Sequence, residues 1–344
     1  MNNEDGIVGG MFGLAPAALN HNQPPPFLRE RNIFLANARS GISLLVDLLS
    51  STQVWMPSYL CGVMLEAVGD PSLVRFYEVA YDLSIPNLSW VDEVKKNDLV
   101  LLIDYFGFPR NHHCMTYVKE RGAWIVEDAS QALLSSEIGG FSDFTLFSVR
   151  KFLGVPDGGI LVINNPEICL PDLHLSPPPA EWWLQAFEAT ILRRAFDQYG
   201  GNRRWFELFR EADANGPIGA FSMSELSRLF LYHRFNYTAI SQARIDNYKA
   251  LNQILGEFAL FPQLSTGVVP LGFPICLKKR NHVRQVLFEH KIYPPIHWTI
   301  EDVVPQRFRD SHRLSGEILT LVCDQRYSCS DMERVGKIIV TEAL

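Results

Sequence analysis

The sequence lacks the common signatures of metal, disulfide and nucleic-acid chemistry. Its six cysteines include no C-x-x-C pair, so neither a zinc site nor a disulfide framework is indicated. It has no run of basic residues and a formal net charge of −7, which argues against a nucleic-acid partner. It also lacks an apolar run of the ~20 residues that a membrane helix needs, and residues 1–5 are acidic, unlike a signal peptide. We therefore expect a cytoplasmic protein with reduced cysteines and with neither a membrane nor a metal partner.

What the sequence does contain is typical of a globular protein with two domains. The 344 residues exceed one typical domain, and 47% hydrophobic with 20% charged residues is a globular composition. Residues 1–32 are rich in Gly, Asn and Pro, which predicts an extended arm. From Ile33 onward, strand and helix patterns alternate, as in a parallel α/β sheet. Segments 180–199 and 224–258 have the spacing of long helices, and the first is aromatic, as core or dimer-interface helices are.

The first residue with a chemical signature is an acid at the end of a strand. The apolar run 123–126 predicts a buried strand, and it ends in Glu127 and Asp128, which a sheet interior would not tolerate unpaired. Ligands of open α/β sheets bind beyond the carboxyl ends of the strands, so Asp128 should face such a crevice. A protonated pyridine nitrogen is a suitable cationic partner there. The position therefore indicates pyridoxal phosphate.

The second signature is Lys151 in the segment Ser148-Val-Arg-Lys, twenty residues after Gln131. A lysine can form a Schiff base with the pyridoxal aldehyde when part of its population is neutral, so we expect burial beside other cations. The Ser148 hydroxyl is a candidate donor to the phosphate, and Arg150 would act through its field or by binding the phosphate. The alternative is an ordinary basic pair on a solvated turn. The following Asp157-Gly158-Gly159 and its apolar strand favour a functional loop.

Taken in order, these segments resemble the DegT/DnrJ/EryC1/StrS group of fold-type-I aminotransferases, which mostly aminate keto sugars carried on nucleotides. The resemblance extends along nearly the whole chain, through the following segments: Gly9-Gly10-Met11-Phe12, Ala38-Arg39-Ser40-Gly41-Ile42, 54–61, 127–131, 147–159 and 318–327. It implies an α/β fold of type I, with a three-layer large domain that contains a mostly parallel sheet, and a smaller α+β C-terminal domain. We place the boundaries at 1–32 for the arm, 33–235 for the large pyridoxal-phosphate domain and 236–344 for the small domain.

The resemblance also implies the roles of four side chains. Asp128 would pair with the pyridine nitrogen, Gln131 would contact the ring hydroxyl, Ser148 would contact the phosphate, and Lys151 would form the Schiff base. Members of the group that dehydrate rather than aminate have histidine in place of the lysine. The lysine therefore favours transamination.

Further phosphate donors are implied at the start of the first helix. Ser40 and the amide of Gly41 would contribute them, and free N–H groups at a helix N-terminus are in themselves an anion site. Ser40 alone would more simply be the N-cap of the helix 42–49, and both roles can hold at once.

The chain departs from the group at three positions. Only two residues separate Ser148 from Lys151, where many members have four. Cys61 stands where the group has an aromatic ring over the cofactor, so Tyr59 is our candidate for that stacking role. Asn236 is our candidate for the asparagine that reaches the partner's phosphate.

Other polar residues have two interpretations each. His297-Trp298 resembles a His-Trp pair near the substrate entrance, where Trp298 would cover a sugar or base, or would pack between the domains. Arg326 would hold a carboxylate or phosphate of the substrate, or would pair with Asp324. Asp104, at another strand end, would be catalytic or would cap the next turn. The segment 112–114 (His-His-Cys) has no matching metal ligands, so it is interpreted as a loop.

The sequence thus predicts a pyridoxal-phosphate-dependent aminotransferase that moves an amino group from an amino-acid donor, glutamate or glutamine, to a keto sugar that is nucleotide-linked. The resemblance implies a homodimer with shared active sites. Three alternatives stay open: an aminotransferase for a non-sugar ketone or cyclitol in natural-product biosynthesis, a non-catalytic pyridoxal-phosphate-binding regulator, and a structural α/β protein without a cofactor.

Overall fold

The large sheet accounts for most of the first half of the chain. A computed structural model describes residues 6–16, 23–109, 113–171 and 173–343. Their strands are β1 Val8–Gly9, β2 Asn32–Leu35, β3 Val54–Pro57, β4 Val74–Tyr77, β5 Leu99–Ile103, β6 Trp124–Asp128, β7 Phe144–Ser148, β8 Gly159–Ile163, β9 Phe273–Cys276, β10 Ile292–Tyr293 and β11 Ile318–Leu321. Seven of them form one sheet in the order β2-β8-β7-β6-β5-β3-β4. Strands β3 to β7 run parallel, whereas β8 is antiparallel to both of its neighbours.

The composition of the central strands explains this arrangement. Every residue of β5 and β8 is buried, as expected for strands that are covered on both faces. The helices of the described residues are α1 Ala38–Leu48, α2 Val63–Val68, α3 His113–Glu120, α4 Ala180–Tyr199, α5 Arg204–Ala214, α6 Glu225–His233, α7 Tyr237–Leu255, α8 Arg280–Glu289, α9 Arg309–Glu317 and α10 Cys329–Ile338. The α/β fold with a mostly parallel sheet is therefore confirmed.

The C-terminal part contains a second, smaller sheet. Strands β9 and β11 pair antiparallel within residues 273–321, with helices α7 to α10 along the same part of the chain. The expected domain boundary at 235/236 immediately precedes α7, and the boundary itself stays a prediction. In the part of the chain that the structure describes, no helix is long and apolar enough to cross a membrane.

Two sequence-based helix assignments were wrong in detail. Segment 224–258 is divided, because α6 ends at His233 and Asn236 starts α7 as its N-cap, accepting a hydrogen bond from the Ala239 amide at 3.0 Å. His113 begins α3 rather than lying in a loop, whereas His112 lies outside the described residues. In segment 224–258, the apolar spacing typical of one long helix is therefore interrupted by the side-chain cap of Asn236.

Four arginines hold the N-terminal arm through its backbone. Arg334 donates to the carbonyl of Gly6 at 3.1 Å, Arg193 to that of Gly9 at 2.9 Å, Arg326 to that of Met11 at 2.8 Å and Arg194 to that of Leu14 at 3.1 Å. Strand β1 also pairs parallel with β10. The described residues 6–16 are therefore anchored to the small domain and to α4, whereas residues 1–5 and 17–22 of the predicted arm lie outside the description.

Candidate functional site

The predicted site residues lie along one edge of the large sheet. Strands β5, β6 and β7 are parallel neighbours, so their carboxyl ends meet, and the register places Ile103 opposite Asp128 and Asp128 opposite Leu146. Asp104 follows β5, Asp128 ends β6, and a single 3-10 turn, Val149–Lys151, follows β7. Asp104, Asp128 and Lys151 therefore follow or end neighbouring strands at the edge of the sheet where the sequence predicted a crevice.

Asp128 is a buried carboxylate that could bind a cationic group of a ligand. Its side chain is buried, and its Oδ1 accepts a hydrogen bond from the Ser130 amide at 2.9 Å. Across the described chain, none of the ion pairs includes Asp128. A cationic ligand group at this position would supply the missing partner.

The other acids of this edge belong to a separate network. Burial raises the pKa of Asp104 well above its usual range, and the neighbouring Glu127, to which it is hydrogen-bonded, raises it further. Glu127 in turn accepts hydrogen bonds from the Gly139 amide at 2.8 Å and from Ser142 Oγ at 2.9 Å. Asp104 makes no capping hydrogen bond to the turn that follows β5, so that interpretation was wrong. Asp104 is a buried hydrogen-bonded partner of Glu127.

Gln131 gives a direct test of whether pyridoxal phosphate fits. Its Oε1 accepts a hydrogen bond from the Phe106 amide at 2.7 Å, while Nε2 is buried without a hydrogen-bond partner among the described residues. Leaving a buried donor unpaired costs about 1–3 kcal/mol, so an acceptor on a ligand would be stabilised at this point. The ring hydroxyl of pyridoxal is such an acceptor. The residues present therefore fit the cofactor.

Lys151 is exposed, whereas the sequence predicted that it would be buried. The reason is the turn that carries it. A 3-10 helix has three residues per turn, so Val149 and Lys151 point in different directions; Val149 is completely buried and Lys151 faces outward. The amine is therefore accessible to solvent.

His297 lies close enough to Lys151 to be affected by its charge. Burial, and secondly the positive charge of Lys151, lowers the pKa of His297 to about 3. Its Nδ1 is 2.9 Å from Thr320 Oγ1, and its ring contacts the Phe106 ring edge-on. The structure thus brings together His297 and Lys151 across 146 positions of sequence, and the imidazole is neutral at physiological pH.

Trp298 packs between the domains, which was one of its two interpretations. Its ring lies 5.5 Å from Tyr59 and 6.4 Å from Tyr105, and its carbonyl accepts a hydrogen bond from Ser315 Oγ at 2.7 Å. Tyr59 is completely buried against these two rings. No face of Tyr59 is open to the crevice, so its expected stacking on the cofactor ring is not supported.

Cys61 lies near the lysine, where the group has its aromatic residue. The thiol is half-buried. Burial raises its pKa, and the nearby charge of Lys151 only partly counteracts this. The thiol is therefore protonated at neutral pH.

The start of α1 differs from the prediction. The N-cap is Asn37, whose Oδ1 accepts a hydrogen bond from the Ser40 amide at 3.0 Å, so Ser40 is not the cap. Ser40 is completely buried, and its hydroxyl donates to the carbonyl of Pro217 at 3.1 Å. A Cβ atom on Gly41 would lie 2.3 Å from Leu146 Cδ2. Gly41 thus allows α1 to pack closely on β7. The Ser40 hydroxyl is bound to the Pro217 carbonyl rather than available to a ligand.

Arg326 forms the salt bridge that was the alternative to substrate binding. Its Nη2 lies 2.7 Å from Asp324 Oδ2, and its Nη1 and Nη2 donate to the carbonyls of Met11 and Gly10 at 2.8 and 2.9 Å. The guanidinium also covers the Phe12 ring. These contacts use its donors to fix the arm, so a substrate role for Arg326 is not supported.

Two residues beside the lysine turn, Asp213 and Arg39, were missed by the sequence reasoning, whereas Arg150 was predicted to act through its field or by binding the phosphate. Arg150 Nη2 is 2.9 Å from Asp213 Oδ1, and the Arg39 side chain donates to the backbone oxygen of Asp213 at 2.8 Å. These contacts join residues 63 and 174 positions apart, and no local pattern marks them. Asn236, by contrast, uses its side-chain oxygen to cap α7.

Neither a scan of protein-family models nor a search of curated proteins gives a match. The search of solved structures does. Helicobacter pylori PseC, an aminotransferase involved in the biosynthesis of pseudoaminic acid, has a TM-score of 0.68 at 15% identity, over 94% of this chain and 92% of that one. A DegT DnrJ EryC1 StrS aminotransferase from Brucella abortus gives 0.62 at 17% identity, over 90% and 85%. The PMP form of Streptococcus pneumoniae Spr1654 gives 0.61 at 15% identity, over 90% and 87%.

The chain has the fold of these aminotransferases. At such identities the likeness shows the fold-type-I architecture, and the expected fold class is confirmed. The aminotransferase fold also agrees with the position of the candidate site at the carboxyl edge of the parallel strands.

Proposed function

We propose that the protein is a pyridoxal-phosphate-dependent aminotransferase that transfers an amino group from an amino acid, glutamate or glutamine, to a keto sugar. One observation carries the proposal. Within the aminotransferase fold, the buried Asp128 carboxylate, the unpaired Gln131 Nε2 and the accessible Lys151 amine line one sheet edge. These are an anion, a donor and a nucleophile, the groups that the cofactor requires.

Each side chain has a defined task in this mechanism. Asp128 would hold the protonated ring nitrogen, and Gln131 Nε2 would donate to the ring hydroxyl. When bound, pyridoxal phosphate supplies the electron sink through which an amino group leaves one carbon and joins another. Lys151 would anchor the cofactor through its amine and, once released, carry the proton between the substrate carbon and the cofactor. Since His297 is neutral, it adds no positive charge beside the lysine.

The acceptor we favour is a keto sugar linked to a nucleotide. The sequence resemblance supports it, and PseC, an aminotransferase of similar fold, is involved in the biosynthesis of pseudoaminic acid. The net charge of −7 opposes an anionic substrate at long range, so its binding needs the local cations of the site. Two departures from the group favour a second candidate function, transfer to a non-sugar ketone. These are the short loop between Ser148 and Lys151, and Cys61, which stands in place of an aromatic residue.

The first prediction concerns Lys151 itself. Borohydride reduction of the protein loaded with pyridoxal phosphate should fix the cofactor on this amine, because the exposed side chain is the nucleophile of the site. Mass spectrometry of the digested protein should locate one added cofactor on the peptide that contains Lys151. The variant Lys151→Ala should lose the label, whereas Lys337→Ala, which removes an exposed lysine of α10, should keep it.

The outcome that contradicts the proposal is equally plain. Absence of the label from the wild-type peptide, or its persistence in Lys151→Ala, would remove the basis for transamination. If Lys151 is labelled, activity assays decide between the two acceptors. Amination of a free ketone, without turnover of any nucleotide-linked keto sugar, would favour the non-sugar ketone.

A further inference from the structure

One carboxylate beside the candidate site is surrounded by three cations. Asp213, at the end of α5, accepts a hydrogen bond from Arg150 Nη2 at 2.9 Å, and the same oxygen is 4.0 Å from Arg39 Nη2. Lys151 is also near enough to affect it. Burial favours the neutral acid, but the charges of Arg150, Arg39 and Lys151 outweigh burial and hold the pKa of Asp213 below its usual value. One negative charge thus faces three positive ones.

These arginines stand where a phosphate group is expected. Arg39 is the second residue of α1, at the positive end of the helix dipole, and Arg150 immediately precedes Lys151 in the 3-10 turn. The side chains of Arg39 and Arg150 are only 9% and 20% exposed, so their charges are poorly screened by water.

The other donors at this helix start are already in use. The carbonyl of Pro217 accepts hydrogen bonds from Asn37 Nδ2 at 2.6 Å and from Ser40 Oγ at 3.1 Å. Asn37 Oδ1 in turn accepts from the Ser40 amide. The Ser40 hydroxyl and amide, which the sequence had assigned to the phosphate or to the helix cap, are therefore occupied within the chain, and the two guanidinium groups become candidates for the phosphate.

We propose that Arg39 and Arg150 bind the phosphate group of pyridoxal phosphate, and that the Asp213 carboxylate competes with this phosphate for them. The proposal rests on the proposed function and adds the phosphate-binding residues to it. A phosphate monoester carries about 1.5 to 2 negative charges at neutral pH, which matches the excess of positive charge better than one carboxylate does. Guanidinium groups also bind phosphate oxygens through two parallel hydrogen bonds.

Competition at this position has a structural consequence. Asp213 lies on α5, and its backbone oxygen is also bound by Arg39, so a phosphate that draws Arg39 away from both oxygens releases the end of this helix. The hydrogen bonds of Pro217 to the start of α1 lie only four residues further along the chain. Phosphate binding and the position of the segment 213–217 are therefore coupled.

The test compares a ligand that has the phosphate with one that lacks it. Dissociation constants of pyridoxal phosphate and of pyridoxal are measured by equilibrium dialysis in a Lys151→Ala background, so that no covalent bond contributes. Asp213→Asn should bind pyridoxal phosphate about tenfold more tightly, and Arg39→Gln or Arg150→Gln about tenfold more weakly. Pyridoxal should bind equally well to all of them. The matched control is Glu188→Gln, which breaks the 3.0 Å ion pair between Glu188 of α4 and Arg204 of α5. This variant should change neither the dissociation constant of pyridoxal phosphate nor that of pyridoxal.

The two proposals fail in different ways. If the Lys151→Ala protein binds pyridoxal phosphate and the ratio of the two constants is the same in Asp213→Asn, the competition is refuted while the proposed function stands. If neither ligand binds at millimolar concentration, the proposed function fails and this inference with it. Circular dichroism checks the fold of each variant. Should Asp213→Asn not fold, Arg150→Gln decides alone, since an unchanged ratio in that variant overturns the phosphate site.

Discussion

At the residue scale, whether a side chain can serve a ligand depends on its existing hydrogen bonds and ion pairs more than on its type. Asp128 and Gln131 are buried with unmet electrostatic or hydrogen-bonding capacity, whereas Ser40 and Arg326, of equally suitable type, have their groups occupied within the chain. A polar group is available to a ligand only if the fold has not already satisfied it. This distinction separates the residues that enter the proposed function from those that do not.

His297 gives a prediction of pH dependence. Its pKa is lowered to about 3 in the folded chain, so between that value and the ordinary pKa near ~6.5 the unfolded chain binds the extra proton. The free energy of unfolding should therefore fall as the pH drops from about 6.5 to about 4.5, with His297 contributing up to about 1.4 kcal/mol per pH unit. Urea unfolding of the wild type and of His297→Asn over this range measures the difference in slope.

The expected result for His297→Asn is a flatter dependence, because asparagine does not titrate and can still bond to Thr320. His282→Gln, a change at an exposed histidine of α8, should leave the wild-type slope unaltered. Parallel curves for wild type and His297→Asn would mean that the imidazole has the same pKa in the folded and the unfolded chain.

At the element scale, the site depends on how closely α1 approaches the sheet. Gly159 begins β8, and a Cβ atom there would lie 2.2 Å from the carbonyl carbon of Asn37 and 2.4 Å from the amide nitrogen of Ala38. The contacted atoms are backbone, so they cannot move aside by a change of rotamer. Glycine at this position thus allows the start of α1, with Arg39, to lie beside the lysine turn.

Gly159→Ala should therefore destabilise the fold and displace the start of α1. Overpacking of this kind lowers the free energy of unfolding by about 1–3 kcal/mol, which denaturant unfolding would measure. Gly140→Ala is the control, because nothing lies within 4 Å of its added Cβ atom. Equal stabilities of the two variants would show that α1 has room to shift without loss.

The sequence predicted individual elements better than the contacts between them. The strand ending in Asp128 was predicted because an apolar run followed by acids is a local pattern. The cap of α1 was missed because asparagine and serine three residues apart are both good caps, and only the geometry selects Asn37. The Arg39–Asp213 contact joins residues 174 positions apart, and nothing in either segment predicts the other.

At the scale of the whole molecule, the homodimer remains a prediction. Helix α4 leaves large apolar side chains in solvent, with Leu184 57% and Ile191 41% exposed, and these two residues lie seven positions apart on one face. A surface of this kind is typical of an interface between protein chains. We therefore propose α4 as part of the dimer contact.

Replacing both side chains by aspartate should dissociate the dimer. Each buried apolar side chain contributes about 1.5–3 kcal/mol, so the double variant Leu184→Asp/Ile191→Asp should weaken association by at least about a hundredfold. Sedimentation equilibrium measures the mass. Val340→Asp, a change at a residue 49% exposed near the C-terminus, is the control and should stay dimeric. A monomeric wild type, or a double variant that remains dimeric, would refute this interface.

The arginines that hold the arm contact peptide carbonyls rather than side chains. Every amino acid offers the same carbonyl, so this mode of attachment places little demand on which residues make up the arm. Three glycines are exceptions: Gly9 and Gly10 have positive φ, and a Cβ atom on Gly10 or Gly13 would collide with Arg193 or Arg194. Changes at most other positions of the arm would therefore keep these hydrogen bonds, whereas loss of one of the four arginines or three glycines would disturb them.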